Sequence, residues 1–247
     1  MASETLIKFA EKKYNSRDII SVFLHLAIQE IFSLGINLIL QTDFERLLQI
    51  NKKQQKTWFP LMPMFNHNYC DQTLAGNAFW IEGQNDDGET CLVQCARLYS
   101  LPCSSLKSEI ESLHIFYDDP NKDAAPGEKI SCTSPSAPHI SRQICYSGGA
   151  WLHPQYRSIG LMGILPRISR SLALLMWDTD YTVSFVEKVL IQKGVINRYG
   201  YRLAEPGIQW RNSKIHGNLD LNLIWMDTPM LVKDLASAIQ LKEIAAA

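Results

Sequence analysis

Residues 144–163 read ICYSGGAWLHPQYRSIGLMG, and the prediction of the fold starts from this segment. Its first half is apolar and aromatic around Gly148 and Gly149, which predicts a buried strand. Pro154 closes a turn, and Gly160 precedes a segment with helical periodicity. A strand that leads through a glycine-containing loop into a helix exposes unpaired N–H groups. The stretch therefore predicts an anion site for a phosphate or pyrophosphate.

The segment after Gly160 is amphipathic. Its apolar positions fall on one helical face, whereas Arg167, Ser169 and Arg170 fall mostly on the other. Pro166 lacks an N–H group and should kink this helix or reset its start.

Helix and strand patterns alternate on both sides of this stretch. Upstream, periodicity predicts a helix at 17–33, a strand at 36–40, a helix at 44–54 capped by Asp43, a loop at 58–68, and a hairpin joining 78–83 to 90–99. Residues 100–140 contain five prolines and predict an insertion between strands. Downstream, the patterns predict a strand at 142–152, a helix to about 177, a strand at 181–185, a short helix at 187–193, and strands at 201–210 and 219–226.

Composition limits the classes of protein. The 247 residues are 46% hydrophobic and 20% charged with a net charge of −1, which excludes a disordered chain and a general nucleic-acid binder. The apolar stretch 19–40 is interrupted by polar residues, so we expect no membrane span. The N-terminal residues lack a basic region followed by an apolar run, so we expect a cytoplasmic protein. Cys91 and Cys95 lie four apart on a predicted strand, hence on one face, and we interpret them as core thiols and expect no metal site.

The segment from Leu152 to Gly160 resembles the acetyl-CoA-binding motif of the GNAT acetyltransferases. That motif is an apolar residue, x-Pro, two residues, then Arg/Gln-x-x-Gly-x-Gly/Ala. Arg157 and Gly160 match its first two fixed positions, whereas Met162 stands at the third and Gly163 comes one residue late. The order of predicted elements over 35–226 is also similar to that of the family.

The resemblance implies a fold and a division of the chain. The fold is α+β (α/β/α), a GNAT-type mixed and mostly antiparallel sheet with a splayed parallel central strand pair. An N-terminal helical extension would occupy residues 1–34. The GNAT-like acyltransferase domain would occupy 35–240, with the insertion at about 100–140.

The resemblance also implies a co-substrate, acetyl-CoA. Its pantetheine arm would lie in the gap beside the strand 181–185, and a backbone N–H near Leu152 would hydrogen-bond the thioester oxygen. The residues expected to bind it are Trp151, Leu152, Arg157, Ser158, Ile159, Gly160, Leu161, Met162 and Gly163.

The catalytic residues are less defined by the resemblance. The family often places a proton-donating tyrosine where this chain has Ile196. Tyr146 and Tyr199 are candidates by proximity to the motif, although each is also a plausible packing residue. His153 sits beside the strand end and titrates in the useful range, although it also fits a surface turn.

The leading hypothesis is an acyl-CoA-dependent N-acyltransferase. It would transfer acetyl from acetyl-CoA to an amine of unknown identity by direct attack in a ternary complex. The acceptor is a small molecule or a peptide, and we expect no nucleic-acid or membrane partner, while a homodimer stays open. The alternative is a non-catalytic GNAT-like protein that binds CoA as a sensor or interaction module.

Overall fold

The computed structural model describes residues 4–5 and 19–246 of the chain. The strands, in chain order, are β1 (Glu4–Thr5), β2 (Asn37–Gln41), β3 (Ala78–Gln84), β4 (Thr90–Leu101), β5 (Lys129–Cys132), β6 (Arg142–Leu152), β7 (Tyr181–Glu187), β8 (Leu203–Ser213) and β9 (Gly217–Asp227). The helices are α1 (Ile19–Ser33), α2 (Phe44–Lys53), α3 (His67–Leu74), α4 (Leu106–Glu111), α5 (Pro120–Asp123), α6 (Leu161–Trp177), α7 (Lys188–Gln192), α8 (Val195–Arg198) and α9 (Thr228–Ala246). Single 3-10 turns stand at Pro63–Phe65 and Pro154–Tyr156.

Within the described residues, nine strands form one sheet in the order β1-β2-β3-β4-β6-β7-β9-β8-β5. Neighbouring strands are antiparallel except for β6 and β7, which run parallel. The parallel pairing joins only Ile144–Tyr146 to Tyr181–Val183. The predicted fold class, a mostly antiparallel sheet with a splayed parallel central pair, is therefore confirmed.

Helices cover both faces of the sheet. Helices α1, α6 and α9 pack together on one face, and their buried residues include Phe23, Leu24, Leu165, Leu172 and Leu235. The other face is covered by α2, α3 and the segment between β4 and β6, with a second buried cluster that includes Leu47, Phe65, Ile110 and Phe116. Burial of apolar area in these two layers is the main stabilising contribution.

Most of the predicted elements are confirmed. Helix α1 begins at Ile19 within its described part, and Asp43 caps α2 by accepting a hydrogen bond from the Arg46 N–H across 2.8 Å. Sequence patterns do not predict β1, β5, α3, α4, α5, α8 and α9. Residues 1–3 and 6–18 of the expected N-terminal extension lie outside the described residues. None of the helices in 19–246 is long and apolar enough to cross a membrane.

Helix α6 runs continuously from Leu161 to Trp177 with Pro166 inside it, so Pro166 does not reset the start of the helix. Two detailed predictions are wrong. Ser169 and Arg170 are buried and do not lie on an open face, because Ser169 faces Ser147 of β6, and α9 and the segment after α8 cover Arg170. Cys91 and Cys95 are both buried but belong to different clusters. The ladder between β3 and β4 contains a bulge at this position, and a bulge interrupts the alternation of side chains.

Candidate active site

The two parallel strands β6 and β7 separate after Tyr146, and a bulge in β6 explains why. The register between β4 and β6 shifts between Val93 and Cys95, so β6 carries one extra residue there. Gly149 has a φ of +62°, and a Cβ at this position would lie 3.0 Å from the Cys95 sulfur. A bulge bends its strand, and glycine adopts this backbone conformation without strain. The bend carries the end of β6 away from β7 and opens a gap.

A cleft of about 1070 Å³ occupies this gap. It reaches both layers of the protein, since some of its lining residues belong to the α1–α6–α9 cluster and others to the opposite cluster. The lining consists of residues 57–62, 149–152, 157–158, 160–163, 185–187, 190, 198–199, 215–216, 219 and 221.

The backbone at the end of β6 presents polar groups to this gap. The His153 N–H donates to the Cys91 carbonyl across 2.8 Å, which places these two residues in a hydrogen-bonded pair of the antiparallel ladder. Hydrogen-bonded and non-hydrogen-bonded pairs alternate along such a ladder. The next pair, Leu152 with Leu92, is therefore non-hydrogen-bonded, and the Leu152 N–H turns towards the gap.

Helix α6 begins at the same end of the cleft. Gly160 is its N-cap residue with a φ of +85°, and no atom of the described residues lies within 4 Å of a Cβ built there. The first N–H groups of a helix have no intrahelical partner and carry a partial positive charge. The predicted cofactor residues line the cleft except for Ile159, which is 48% exposed outside the lining.

Arg157 lies in the lining but binds protein backbone. Its Nε donates to the Leu152 carbonyl and its Nη2 to the Thr57 carbonyl, each across 3.2 Å. The Trp151 indole donates to the Thr57 hydroxyl across 3.2 Å, and its ring stacks on Trp58 with centroids 5.4 Å apart. Arg157 and Trp151 thus tie the segment after α2 to the end of β6.

The three predicted catalytic residues lie in different places. Tyr146 is 2% exposed, packs on Phe65 and Phe185, and lies outside the lining. Burial raises its pKa above the ordinary tyrosine value. His153 is also outside the lining, with its ring beside Trp151. Tyr199 lines the cleft.

The segment that carries Tyr199 is held by two arginines from α6. Arg170 Nη2 donates to the Tyr199 carbonyl across 2.5 Å, and Arg167 Nη1 donates to the Arg198 carbonyl across 2.8 Å. Burial raises the pKa of the Tyr199 hydroxyl, and the charge of Arg198 opposes this shift. Tyr199 therefore keeps its proton at neutral pH, as a proton donor must.

His216 is a further ionisable group of the cleft that the sequence analysis missed. It lies between β8 and β9, lines the cleft, and packs on Trp210 with ring centroids 5.8 Å apart. Its Nε2 is buried and has no hydrogen-bond partner among the described residues. Burial lowers its pKa, while the Leu61 backbone and Glu128 raise it by less. The ring is therefore neutral at physiological pH. A single histidine in a hairpin turn forms no sequence pattern that would indicate a functional site.

Comparison with known proteins gives structural neighbours only. No protein-family model and no curated protein match the sequence. RimJ of Mycobacterium smegmatis, in complex with CoA-disulfide, is 10% identical over 82% of this chain and 89% of its own, with a TM-score of 0.45. NAA60 of Arabidopsis thaliana, in complex with acetyl-CoA, is 13% identical over 78% of this chain and 99% of its own, with a TM-score of 0.43. Mutant forms of the spermidine/spermine N-acetyltransferase SpeG of Vibrio cholerae are 8% identical over 81% of this chain and 97% of their own, with a TM-score of 0.46. The fold assignment rests on the strand order and the splayed pair of this chain.

Proposed function

We propose that this chain is an acyl-CoA-dependent N-acyltransferase that uses acetyl-CoA as its co-substrate. The observation that carries the proposal is the gap between β6 and β7, which ends at the N-terminus of α6. An extended amide-containing chain with a pyrophosphate at one end fits a strand edge that leads to a helix N-terminus. Pro154, Arg157 and Gly160 at this position are the residues on which the motif resemblance depends.

The residues for such a ligand follow from their places in the cleft. The backbone amides of 159–163 would take the pyrophosphate, and the backbone of Trp151 and Leu152 would pair with the pantetheine arm. Arg157 would act indirectly, because it fixes the Leu152 carbonyl and the segment at Thr57. The Leu152 N–H, turned to the gap, would hydrogen-bond the thioester oxygen and stabilise its developing charge.

The transfer needs a proton acceptor and a proton donor. The amine nitrogen forms a bond to the acetyl carbon, and the carbon–sulfur bond breaks. His216, neutral in its buried setting, would take one proton from the ammonium group and pass it to water. The thiolate that leaves would take a proton from Tyr199, and the second proton that the nitrogen loses would restore that tyrosine, while the third stays on the amide nitrogen. The sum is an ammonium ion and a thioester converted to an amide, a thiol and one released proton.

Two observations favour a second candidate, a non-catalytic protein that binds CoA. Ile196 stands where the family often has its tyrosine, and it is buried. Met162 departs from the motif in the same loop that would bind the pyrophosphate.

Thiol release separates the two candidates. The protein would be incubated with acetyl-CoA and a panel of primary amines, and the free thiol and the N-acetyl product would be measured. An acyltransferase releases both in equal amounts and in proportion to enzyme. Binding of acetyl-CoA without any product from the panel would favour the non-catalytic candidate.

A further inference from the structure

The cleft has a second half that the co-substrate assignment leaves open. This half, here the acceptor half, faces the α2 side of the sheet. Its lining is aromatic and aliphatic apart from one histidine, His216, and one carboxylate, Glu187, and it includes Trp58, Phe59, Leu61 and Phe185. If the co-substrate occupies the gap and the α6 terminus, the acyl acceptor has to approach through the acceptor half.

Phe59 is the most exposed apolar side chain of this half. It is 80% exposed, whereas its neighbours Trp58 and Leu61 are buried. The buried side chain of Asn51 fixes the loop on both sides, since its Nδ2 donates to the Phe59 carbonyl across 2.9 Å and its Oδ1 accepts from the Leu61 N–H across 3.2 Å. The aromatic ring is thus presented at the cleft by an anchored backbone. An exposed apolar ring that lines a cleft is a feature of ligand sites.

The charged residues of the cleft limit how many positive charges the acceptor can carry. Among the residues that line it in the described part of the chain, Glu187 is the sole carboxylate. Glu187 and Phe185 are two apart on β7, which places both on the same face of the sheet. His216 brings no charge to this half, because burial lowers its pKa. The acceptor half therefore offers one negative charge among apolar side chains.

We propose that the acceptor is a primary monoamine that carries an aromatic or branched apolar group. The apolar group packs against Phe59 and the neighbouring aliphatic side chains, and the ammonium group lies near Glu187 before it is deprotonated. This inference rests on the proposed acyltransferase function. A polyamine such as spermidine carries several positive charges, and an apolar lining with one carboxylate gives the others no partner.

The acceptor class is tested by rates with matched amines. Initial rates of acetyl transfer would be measured with phenylethylamine, spermidine and the amidated tripeptide Phe-Gly-Gly, and acetyl-CoA binding would be measured separately by calorimetry. We expect kcat/KM for phenylethylamine to exceed that for spermidine at least tenfold. Spermidine as the better substrate would overturn the inference, and so would a tenfold preference for the peptide. Absence of acetyl-CoA binding would instead defeat the proposed function on which the inference rests.

Two substitutions test the assigned residues. Phe59→Ala should raise KM for phenylethylamine roughly tenfold, since it removes about 1.5 kcal/mol of apolar contact, and should leave the Kd of acetyl-CoA unchanged. Glu187→Gln should raise KM for phenylethylamine and leave that Kd unchanged. Phe32, 54% exposed on α1 and outside the cleft lining, supplies the control Phe32→Ala, which should match the unsubstituted protein. An unchanged KM in both Phe59→Ala and Glu187→Gln contradicts the placement of the amine.

Discussion

Arg170, in the middle of α6, donates a hydrogen bond across 2.5 Å to the carbonyl oxygen of Tyr199, the tyrosine that lines the cleft. The Arg170 side chain is 0% exposed, lies 3.6 Å from the Asp234 carboxylate and packs over the Tyr201 ring. Asp234 belongs to α9 and also binds Arg167 across 2.7 Å. The C-terminal helix thus holds, through two arginines, the backbone that positions the candidate proton donor.

Removal of the Asp234 charge should destabilise the protein strongly. In Asp234→Asn the guanidinium of Arg170 stays buried without its carboxylate, and breaking a buried ion pair in this way costs about 3 kcal/mol. Urea unfolding would show the loss as a lower midpoint. Asp220→Asn is the control, because Asp220 pairs with Arg211 at the surface and such pairs contribute little. Equal midpoints for the two variants would refute the buried network.

Gly200 should tolerate no side chain, since a Cβ there would lie 2.3 Å from the Asp234 Oδ2 atom. Gly200→Ala should therefore destabilise the protein by more than the roughly 1 kcal/mol that a left-handed backbone alone costs an alanine. Gly194→Ala measures that backbone cost, because Gly194 has a φ of +65° and, in the part of the chain that the structure describes, no atom lies within 4 Å of its Cβ position. The comparison requires thermal or urea unfolding of both variants. A Gly200→Ala variant no less stable than Gly194→Ala would show that the Asp234 contact is misplaced.

Loss of the Tyr199 hydroxyl should slow transfer and spare binding. If Tyr199 donates the proton to the thiolate, Tyr199→Phe lowers kcat by roughly 10² to 10⁴. The Kd of acetyl-CoA should stay within about twofold, since the aromatic ring is retained. Tyr181→Phe, at the start of β7 and outside the cleft lining, should keep full activity. Unchanged kcat in Tyr199→Phe would remove Tyr199 from the mechanism.

The pH dependence should report on His216. Burial lowers its pKa in the folded protein below the ordinary value of about 6.5. The rate should therefore stay high as pH falls through 6.5 and decline only below it, when His216 becomes protonated. His216→Asn should remove this acid limb and lower kcat at neutral pH. An acid limb unchanged in the variant would assign the base to another group.

The same shift has a consequence for stability. A histidine whose folded pKa is depressed binds more protons in the unfolded state, so stability is lost as pH falls from about 6.5 towards the folded pKa. The drop in unfolding midpoint between pH 7 and pH 5 should be smaller in His216→Asn than in the unsubstituted protein. An equal drop in both proteins would contradict a buried, neutral His216.

The sequence predicts the elements that have a clear local periodicity. Apolar residues at helical spacing predict α1 and α2, and apolar segments bounded by turn residues predict the β3–β4 hairpin and the last two strands. Gly160 before an amphipathic segment predicts the start of α6. Short segments such as α4, α5 and β5 have too few residues for a period to be visible. Strand β5 forms because it pairs with the distant strand β8. Helix α5 buries no side chain and is capped locally by Asp119.

The parts of the site that could not be predicted arise from long-range contacts. The sequence pattern places Arg170 on the polar face of its helix, and it does not reveal that Asp234 of α9, distant in sequence, pairs with it. His216 reaches the cleft because the β8–β9 hairpin folds beside the segment at Leu61. The gap itself follows from the bulge at Gly149, and a Gly-Gly pair in a sequence does not reveal which strand it bends away from.

Calorimetric titration of acetyl-CoA into a matched pair of variants tests whether a CoA site lies between β6 and the N-terminus of α6. Gly160 and Gly194 are both helix N-caps in the left-handed conformation with open space around the Cβ position, but only Gly160 lines the cleft. We expect the unsubstituted protein and Gly194→Trp to bind acetyl-CoA with similar Kd. Gly160→Trp, whose indole would occupy the start of α6, should weaken binding at least tenfold. No binding by the unsubstituted protein, or equal binding by both variants, would contradict a CoA site between β6 and the α6 terminus.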